Sequence, residues 1–226
     1  MKKYVVILAC GSGTRMQSDI PKQYILLNNK PIVFHTIETI SGFDSSYNII
    51  VVINKEHNGL FSEFSKRYAL NLPFKLVFGG EERFFSVKNA LSTIKEEDSL
   101  VAIHDGVRPI VEKRMFEESF AAASQYGNAI CCVKATDSIR KGDENTNCAI
   151  DRREIFLVQT PQTFKTSVIK KAYSQEYKPI FTDDASVAES IGEKIHIIQG
   201  NKANIKITFP IDLSIAAQLL TKVPNQ

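Results

Sequence analysis

The chain has 226 residues, 43% of them hydrophobic and 23% charged, and its formal net charge is +3. These values are ordinary for a globular protein with a full core, and the small, unclustered positive excess gives no basis for a nucleic-acid partner. No apolar run approaches the ~18 residues of a membrane span, and the run after Lys2-Lys3 is shorter than the ~7–15 residues of a signal-peptide core. Four cysteines without metal-binding spacing favour a reduced, cytoplasmic protein that has no membrane partner.

Apolar runs of strand length alternate with helical patterns along the chain. Strands are predicted at 4–9, 48–53, 74–78, 99–104, 129–134, 155–159 and 195–198. Helices are predicted at 31–41, 57–70, 84–95, 113–126, 165–175, 184–191 and 211–221. This alternation predicts a single α/β domain over 1–226, with a mostly parallel, Rossmann-like sheet and helices on both faces. In such sheets ligands bind beyond the carboxyl ends of the strands.

The first motif is a glycine loop after the strand 4–9, at 10–16, with the sequence CGSGTRM. Glycines let backbone N–H groups approach phosphate oxygens, and Arg15 and Lys22 supply positive charge, so the loop is suited to a triphosphate. An ordinary glycine turn is the alternative. A dinucleotide fingerprint is disfavoured, because Met16 occupies its third glycine position and Asn54 follows the strand that should end in an acidic residue.

The second motif, at 79–87, follows the strand 74–78 and begins a helix. Its two glycines allow close approach to a flat ligand such as a base, and Arg83 and Ser86 lie one helical turn apart. The alternative is a plain strand–turn–helix junction in which Glu81 and Glu82 favour the start of the helix.

The third motif, HDGVRP at 104–109, follows the strand 99–104. Asp105 is suited to orient a phosphate-bound Mg²⁺ or to hold a ribose hydroxyl, and Arg108 is suited to bind a second phosphate. The alternative is a structural ion pair, but a surface pair contributes only ~0–1 kcal/mol and so explains the motif weakly.

The segment 135–154 is polar and rich in turn residues, with short alternating stretches at 136–140 and 148–152. This pattern predicts a projecting β-hairpin arm, and a disordered surface loop is the alternative. An arm with so little apolar content does not fold alone. We therefore expect it to pack on a second copy of the chain and form a homodimer.

Two further segments carry hydroxyls and a lysine. Residues 159–164 and 182–186 place hydroxyls at predicted loop-to-helix junctions, where they either bind anions or cap helices. Residues 204–208 read as an alternating strand with Lys206 opposite its isoleucines, and such a lysine commonly faces solvent. The scattered cations together favour two phosphorylated ligands and in-line displacement at phosphorus.

Taken together, these motifs resemble the 2-C-methyl-D-erythritol 4-phosphate cytidylyltransferase family of nucleotidyltransferases, which acts in the non-mevalonate isoprenoid pathway. The resemblance runs in order from residue 4 to about 217. It implies transfer of CMP from CTP to the polyol phosphate 2-C-methyl-D-erythritol 4-phosphate, with Mg²⁺ and with release of pyrophosphate. It also implies a homodimer in which Arg152 reaches the site of the second subunit.

The resemblance assigns roles to residues in three groups. Catalysis is implied for Arg15, Lys22 and Lys206. Nucleotide binding is implied for Ala9, Cys10, Gly11, Ser12, Gly13, Gly80, Glu81, Arg83, Ser86, Asp105 and Gly106. Binding of the polyol phosphate is implied for Asp105, Arg108, Ser138, Arg152, Thr160, Thr182 and Lys206. The metal is assigned either to Asp105 or to the triphosphate alone.

The chain departs from the family pattern in four places. Cys10 stands where alanine or glycine is expected, Gly106 replaces an alanine and Ser138 replaces a threonine. Lys202-Ala203 lacks an acidic residue that some relatives have before the position of Asn204. The alternative within the same class is a ribitol-5-phosphate cytidylyltransferase, which the stretches 156–158 and 182–186 disfavour. The alternatives from other classes are an NAD(P)-dependent oxidoreductase and a non-catalytic nucleotide-sensing module.

Overall fold

A seven-stranded sheet with one reversed strand organises the structure, a computed structural model that describes residues 1–11, 13, 16 and 20–222. Two predicted site residues, Ser12 and Arg15, lie outside the described residues. The strands are β1 (Lys2–Ala9), β2 (Leu26–Leu27), β3 (Lys30–Pro31), β4 (Asn48–Ile53), β5 (Lys75–Phe78), β6 (Ser99–Asp105), β7 (Asn128–Lys134), β8 (Ile139–Gly142), β9 (Asn147–Ile150), β10 (Phe156–Lys165) and β11 (Ile197–Gln199). The helices are α1 (Ile32–Ser41), α2 (Asn58–Arg67), α3 (Arg83–Ser92), α4 (Lys113–Tyr126), α5 (Thr166–Ala172), α6 (Asp184–Glu189) and α7 (Pro210–Lys222).

The strand order of the large sheet is β11-β7-β10-β6-β1-β4-β5. β10 pairs antiparallel with both β6 and β7, and the other pairings are parallel. The chain passes from β1 to β4 and β5 on one side and then returns to β6 on the other side. The strand order therefore reverses at β1, which is where α/β sheets bind ligands.

Side chains of β1 alternate between two hydrophobic layers. Val5 and Ile7 pack in one layer with Phe116 of α4, whereas Val6 and Leu8 pack in the other with α3 and α5. Both faces of the strand are buried, which explains its continuous apolar sequence. The predicted sheet with helices on both faces is confirmed.

The structure extends one predicted strand. β10 was predicted to end at residue 159 but continues to Lys165, with a register shift between Val158 and Gln162. Thr160 consequently lies inside a buried strand and not at a loop-to-helix junction. The polar residues and Pro161 in this stretch interrupt the apolar pattern from which the strand was predicted.

The predicted hairpin is also present. β8 pairs antiparallel with β9, from Ile139 opposite Ile150 to Gly142 opposite Asn147, and most of its residues are exposed. No helix in the described part of the chain is long and apolar enough to cross a membrane.

Candidate active site

A cleft of about 350 Å³ opens at the carboxyl ends of β1, β4 and β6. Its walls come from the glycine loop, the second glycine motif, the end of β6 and the segment near residue 206. The lining residues are Leu8, Ala9, Cys10, Gly11, Lys22, Gln23, Asn54, Gly80, Glu81, Glu82, Arg83, Ser86, Asp105, Val107 and Lys206. Ten of the predicted site residues are among them, so the topology brings distant motifs to one place.

Asp105, the last residue of β6, provides a carboxylate at the base of this cleft. Its Oδ2 lies 3.1 Å from Lys206 Nζ and 3.1 Å from Arg108 Nε. Burial alone would raise the pKa of Asp105, but the charges of Lys206, Arg108 and Arg83 outweigh it and hold the pKa well below its usual range. Asp105 is therefore ionised throughout the neutral range.

A buried network fixes the backbone of Asp105. The Asp105 N–H donates to Thr160 Oγ1 at 3.1 Å, and that hydroxyl lies 3.0 Å from His104 Nδ1. His104 Nε2 lies 3.2 Å from the carbonyl oxygen of Arg108, which can only accept. Nε2 therefore carries the ring proton and Nδ1 accepts from Thr160, so every group is satisfied with a neutral imidazole. Burial lowers the pKa of His104 to about 4, in agreement with a neutral ring.

The segment carrying Lys206 is held by loops. Asn204 Nδ2 donates to Thr160 O at 2.8 Å, Arg108 Nη1 donates to Asn204 O at 2.8 Å, and Ile207 N–H donates to Val107 O at 3.0 Å. The predicted strand at 204–208 is wrong, because these bonds go to loop residues and to Thr160 and no ladder forms. Lys206 is exposed and Ile207 is buried, as predicted, but Asn204 is buried as well.

Lys22 meets this segment from the opposite wall. Its Nζ donates to the carbonyl oxygen of Ile207 at 3.3 Å. Gly13 packs against the stem of Lys22: it has φ +68°, and a Cβ there would lie 2.9 Å from Lys22 Cγ. Only glycine fits this position, so Lys22 is packed between Gly13 and the segment of Lys206.

The second glycine motif is shaped by Ser86. The Gly80 N–H donates to Ser86 Oγ at 3.1 Å, and that hydroxyl lies 3.1 Å from the acceptor Glu82 O. A Cβ on Gly79 would lie 2.7 Å from Ser86 Oγ and 3.0 Å from Cys10 Cβ. The turn therefore packs closely against Cys10 of the glycine loop.

Arg83 is fixed by a partner that the sequence did not predict. Its guanidinium makes two hydrogen bonds to Asp184, of 2.9 and 2.6 Å, and Tyr173 Oη donates to the same carboxylate at 2.6 Å. Burial would lower the pKa of Arg83, but the charge of Asp184 raises it. The only sequence signal was the 182–186 motif, in which Asp183 and Ser186 form a capping box, so the capping interpretation is correct there.

Several predicted substrate residues do not line the cleft. Arg108 is buried behind Asp105, and Thr160 supports the same residue from β10. Thr182 lines a separate cleft of about 600 Å³ beside β10. Ser138 and Arg152 belong to the exposed arm region, where Arg152 Nη1 donates to Thr136 O at 2.6 Å. Within one chain, the structure does not bring these side chains to the glycine loop.

Gly106 contributes backbone alone. Its N–H donates to Leu8 O at 2.8 Å, and its carbonyl oxygen accepts from Thr36 Oγ1 at 2.9 Å. A Cβ at this position would lie 2.8 Å from Leu8 O. Gly106 therefore joins the ends of β1 and β6 at the back of the cleft.

Sequence reasoning missed five lining residues, of which three are polar: Gln23, Asn54 and Glu82. Asn54 Oδ1 accepts from Glu56 N–H at 2.9 Å and so begins a short 3₁₀ helix at Lys55–His57. The sequence offered one indication that Gln23 and Asn54 line the cleft, namely their positions: Gln23 adjoins Lys22, and Asn54 directly follows β4.

The described residues contain no group of three or more His, Cys, Asp or Glu side chains that could hold a metal ion. Mg²⁺ typically binds to one or two carboxylates together with substrate phosphates. The cleft fits that pattern, because Asp105 offers one carboxylate beside the predicted phosphate loop. A Mg²⁺ that arrives with a triphosphate is therefore compatible with this donor set.

Comparisons with known proteins agree on one family. The family model described as IspD, 2-C-methyl-D-erythritol 4-phosphate cytidylyltransferase, matches residues 3–222. The enzyme of that name from Bacteroides thetaiotaomicron is 39% identical over 220 residues, covering 97% of this chain and 100% of the relative. The Francisella tularensis crystal structure of 2-C-methyl-D-erythritol 4-phosphate cytidylyltransferase has a TM-score of 0.78 and 31% identity, covering 97% of this chain and 100% of that one. The 4-diphosphocytidyl-2C-methyl-D-erythritol synthase of Anaerococcus prevotii has a TM-score of 0.81 and 27% identity, with coverages of 97% and 96%.

Proposed function

The chain belongs to the 2-C-methyl-D-erythritol 4-phosphate cytidylyltransferase family, and from that premise we propose how its residues carry out the reaction. It is a nucleotidyltransferase that transfers CMP from CTP to 2-C-methyl-D-erythritol 4-phosphate in the synthesis of isoprenoid precursors. Pyrophosphate leaves, and the product is CDP-methylerythritol.

One observation carries the assignment of residues: Lys22, Lys206 and Asp105 line the same cleft. Lys22 is held against Ile207 and Lys206 against Asp105. Both ammonium groups therefore start from fixed positions, as electrostatic stabilisation of a transition state requires. We assign these two lysines to catalysis, together with Arg15.

In the reaction, an oxygen of the polyol phosphate attacks the α-phosphorus of CTP. The bond between that phosphorus and the bridging oxygen of pyrophosphate breaks on the opposite side. The attacking oxygen is already anionic, so no residue needs to remove a proton. Negative charge accumulates on the α-phosphoryl and pyrophosphate oxygens, and Lys22 and Lys206 neutralise it there.

Asp105 keeps Lys206 in place until substrates bind. Its carboxylate pairs with two cations, so it also separates Lys206 from the buried Arg108. When bound, Mg²⁺ supplies positive charge to the triphosphate oxygens, and Asp105 is the carboxylate positioned to hold it. We assign the binding of cytosine and ribose to the second glycine motif, through Gly80, Glu81, Arg83 and Ser86.

The remaining substrate contacts are proposed to come from a second copy of the chain. Ser138 and Arg152 lie in the exposed arm region, which supports a homodimer in which the arm of one subunit reaches toward the cleft of the other. Arg108, Thr160 and Thr182 complete the substrate assignment from within the chain. A cytoplasmic location agrees with the chemistry of four free cysteines.

The experiment is a pyrophosphate-release screen of the purified protein with Mg²⁺, four nucleoside triphosphates and two acceptors. The expected result is release with CTP and 2-C-methyl-D-erythritol 4-phosphate. Faster turnover of ribitol 5-phosphate would show that this polyol phosphate is the acceptor. Release with another nucleoside triphosphate would show that the proposed base is wrong. Absence of release in every combination would overturn the proposal.

A further inference from the structure

Gln23 is a cleft residue whose side chain is 1% exposed, yet its amide nitrogen has no hydrogen-bond acceptor within the described part of the chain. It follows Lys22 in the 3₁₀ helix Lys22–Tyr24, and both residues line the same wall of the cleft. A buried donor without an acceptor is uncommon in proteins, because desolvation of the N–H group then has no compensation. Such a group needs an acceptor that the protein itself does not provide.

The next residue supplies a contrast. Tyr24 is also 1% exposed, and its hydroxyl likewise lacks a partner among the described residues. However, its ring packs edge-on against His57 and Phe64 in the core, and it is not among the residues that line the cleft. Two adjacent residues thus carry unpartnered polar groups, and of these two only Gln23 lines the cleft.

We propose that Gln23 is a nucleotide-binding residue whose amide donates a hydrogen bond to a phosphate oxygen of the bound triphosphate. The inference rests on the proposed function, which places that triphosphate beside Lys22. Phosphate oxygens are ionised and accept hydrogen bonds strongly. They therefore suit an amide N–H group that has no acceptor in the protein. The terminal torsion of glutamine has a broad, roughly two-fold preference, so the amide can turn its N–H groups toward the cleft without moving its stem.

The role differs from that of Lys22 in its electrostatics. An amide is neutral, so it orients a phosphate without adding charge, whereas Lys22 contributes a full positive charge. Loss of Gln23 should therefore weaken CTP binding to a similar extent at low and high ionic strength. Loss of a lysine should have an effect that shrinks as salt screens it.

The test compares Gln23→Met, which keeps the length of the side chain but has no donor, with Tyr24→Phe as the matched control. Thermal unfolding is measured without ligand and with saturating CTP and Mg²⁺, and KM for CTP is measured by pyrophosphate release. For Gln23→Met we expect an unliganded Tm equal to or above that of the wild type, since an unpaired buried donor is removed. We also expect a smaller CTP-induced rise in Tm and about a tenfold higher KM for CTP, as loss of a hydrogen bond to a charged group predicts.

Tyr24→Phe should keep the full CTP-induced rise and the wild-type KM. A wild-type CTP response in Gln23→Met would overturn the inference, and so would a lower unliganded Tm, which would make the amide a structural bond. If Gln23→Met does not fold, Gln23→Glu places an anion at the same position and should weaken CTP binding further than loss of the donor alone. If the wild-type protein shows no response to CTP, the proposed function fails and this inference fails with it, whereas a normal wild-type response isolates the role of Gln23.

Discussion

The ammonium group of Lys22 lies 3.3 Å from the backbone oxygen of Ile207, a residue 185 positions further along the chain. Ile207 directly follows Lys206, so this bond ties one proposed catalytic lysine to the backbone that carries the other. The spacing of the two charges is thereby set by the folded protein before substrates bind, which is the condition for electrostatic preorganisation.

Replacement of either lysine should abolish most turnover. We expect Lys22→Met and Lys206→Met each to lower kcat by ~10²-fold or more, since each removes a charge from the transition state and keeps an apolar stem. Steady-state kinetics with CTP and 2-C-methyl-D-erythritol 4-phosphate measure the effect. Lys202→Met, at an exposed turn residue of the same segment, is the control and should retain activity. Unchanged kcat in both cleft variants would refute their assigned role.

Loss of the Asp105 carboxylate should destabilise the fold as well as the site. Asp105→Asn keeps the shape of the side chain but leaves Arg108 buried without its counter-charge. Breaking a buried pair in this way typically costs about 3–5 kcal/mol. Urea unfolding at pH 7 measures the change, and Asp151→Asn, in an exposed pair with Arg153, should have little effect. A variant as stable as the wild type would show that the pair contributes nothing.

The neutral, buried His104 predicts acid sensitivity. Its pKa in the folded protein is about 4, against ~6.5 in an unfolded chain. Between these values the unfolded chain binds more protons, so stability rises with pH through this window and is lost as pH falls from 6.5 toward 4. The slope from one such group approaches about 1.4 kcal/mol per pH unit.

Urea unfolding across pH 4–8 measures this slope. His104→Gln should be less stable at neutral pH but should show a flatter dependence. His35, whose pKa burial also lowers, supplies part of the remaining slope. An identical slope in the wild type and in His104→Gln would contradict the assignment.

The Tyr173 hydroxyl should stabilise the fold through Asp184. Tyr173→Phe removes a hydrogen bond to a buried carboxylate, and such bonds contribute about 1.5–3 kcal/mol. Chemical denaturation measures the loss. Tyr126→Phe, at an exposed position at the end of α4, should change stability by less than about 0.5 kcal/mol. Equal effects of the two substitutions would show that the hydroxyl of Tyr173 has no special role.

The proposed homodimer can be tested through the arm that is expected to form its interface. Sedimentation should give a dimer for the intact chain and a smaller species after deletion of 137–150. Co-expressed Lys22→Met and Arg152→Ala chains should regain activity that neither has alone, because the mixed dimer has one cleft with both residues intact. If the intact chain is a monomer, or if the mixed dimers are inactive, the proposal that Arg152 acts across the interface is wrong.

Where side chains alternate or run continuously apolar, the sequence was enough to predict the fold. β1, β4 and β6 were predicted within two residues of their bounds, because buried parallel strands have few polar positions. The reversed β10 was not predicted in full, since Gln159, Thr160 and Gln162 are buried polar residues satisfied only by tertiary partners. Periodicity carries no information about such partners.

The residues of the site likewise fall into those that the sequence predicted and those that only the structure reveals. Glycine motifs and strand ends identified much of the cleft, including Lys22 and Asp105, whereas the role of Lys206 came only from the family resemblance. The pairing of Arg83 with Asp184 spans 101 residues and has no local signature, so only the structure reveals it. Gln23 was overlooked because a missing hydrogen bond cannot be read from composition or spacing.

The anchoring of Lys206 has a consequence for synthesis of the protein. Asp105, Arg108 and Thr160 are translated long before the segment at 204–207 that binds them. A nascent chain therefore emerges from the ribosome with Lys22 and these three residues but without the second proposed catalytic lysine. If Lys206 has the catalytic role proposed above, such a chain should not consume CTP before the segment at 204–207 has been made.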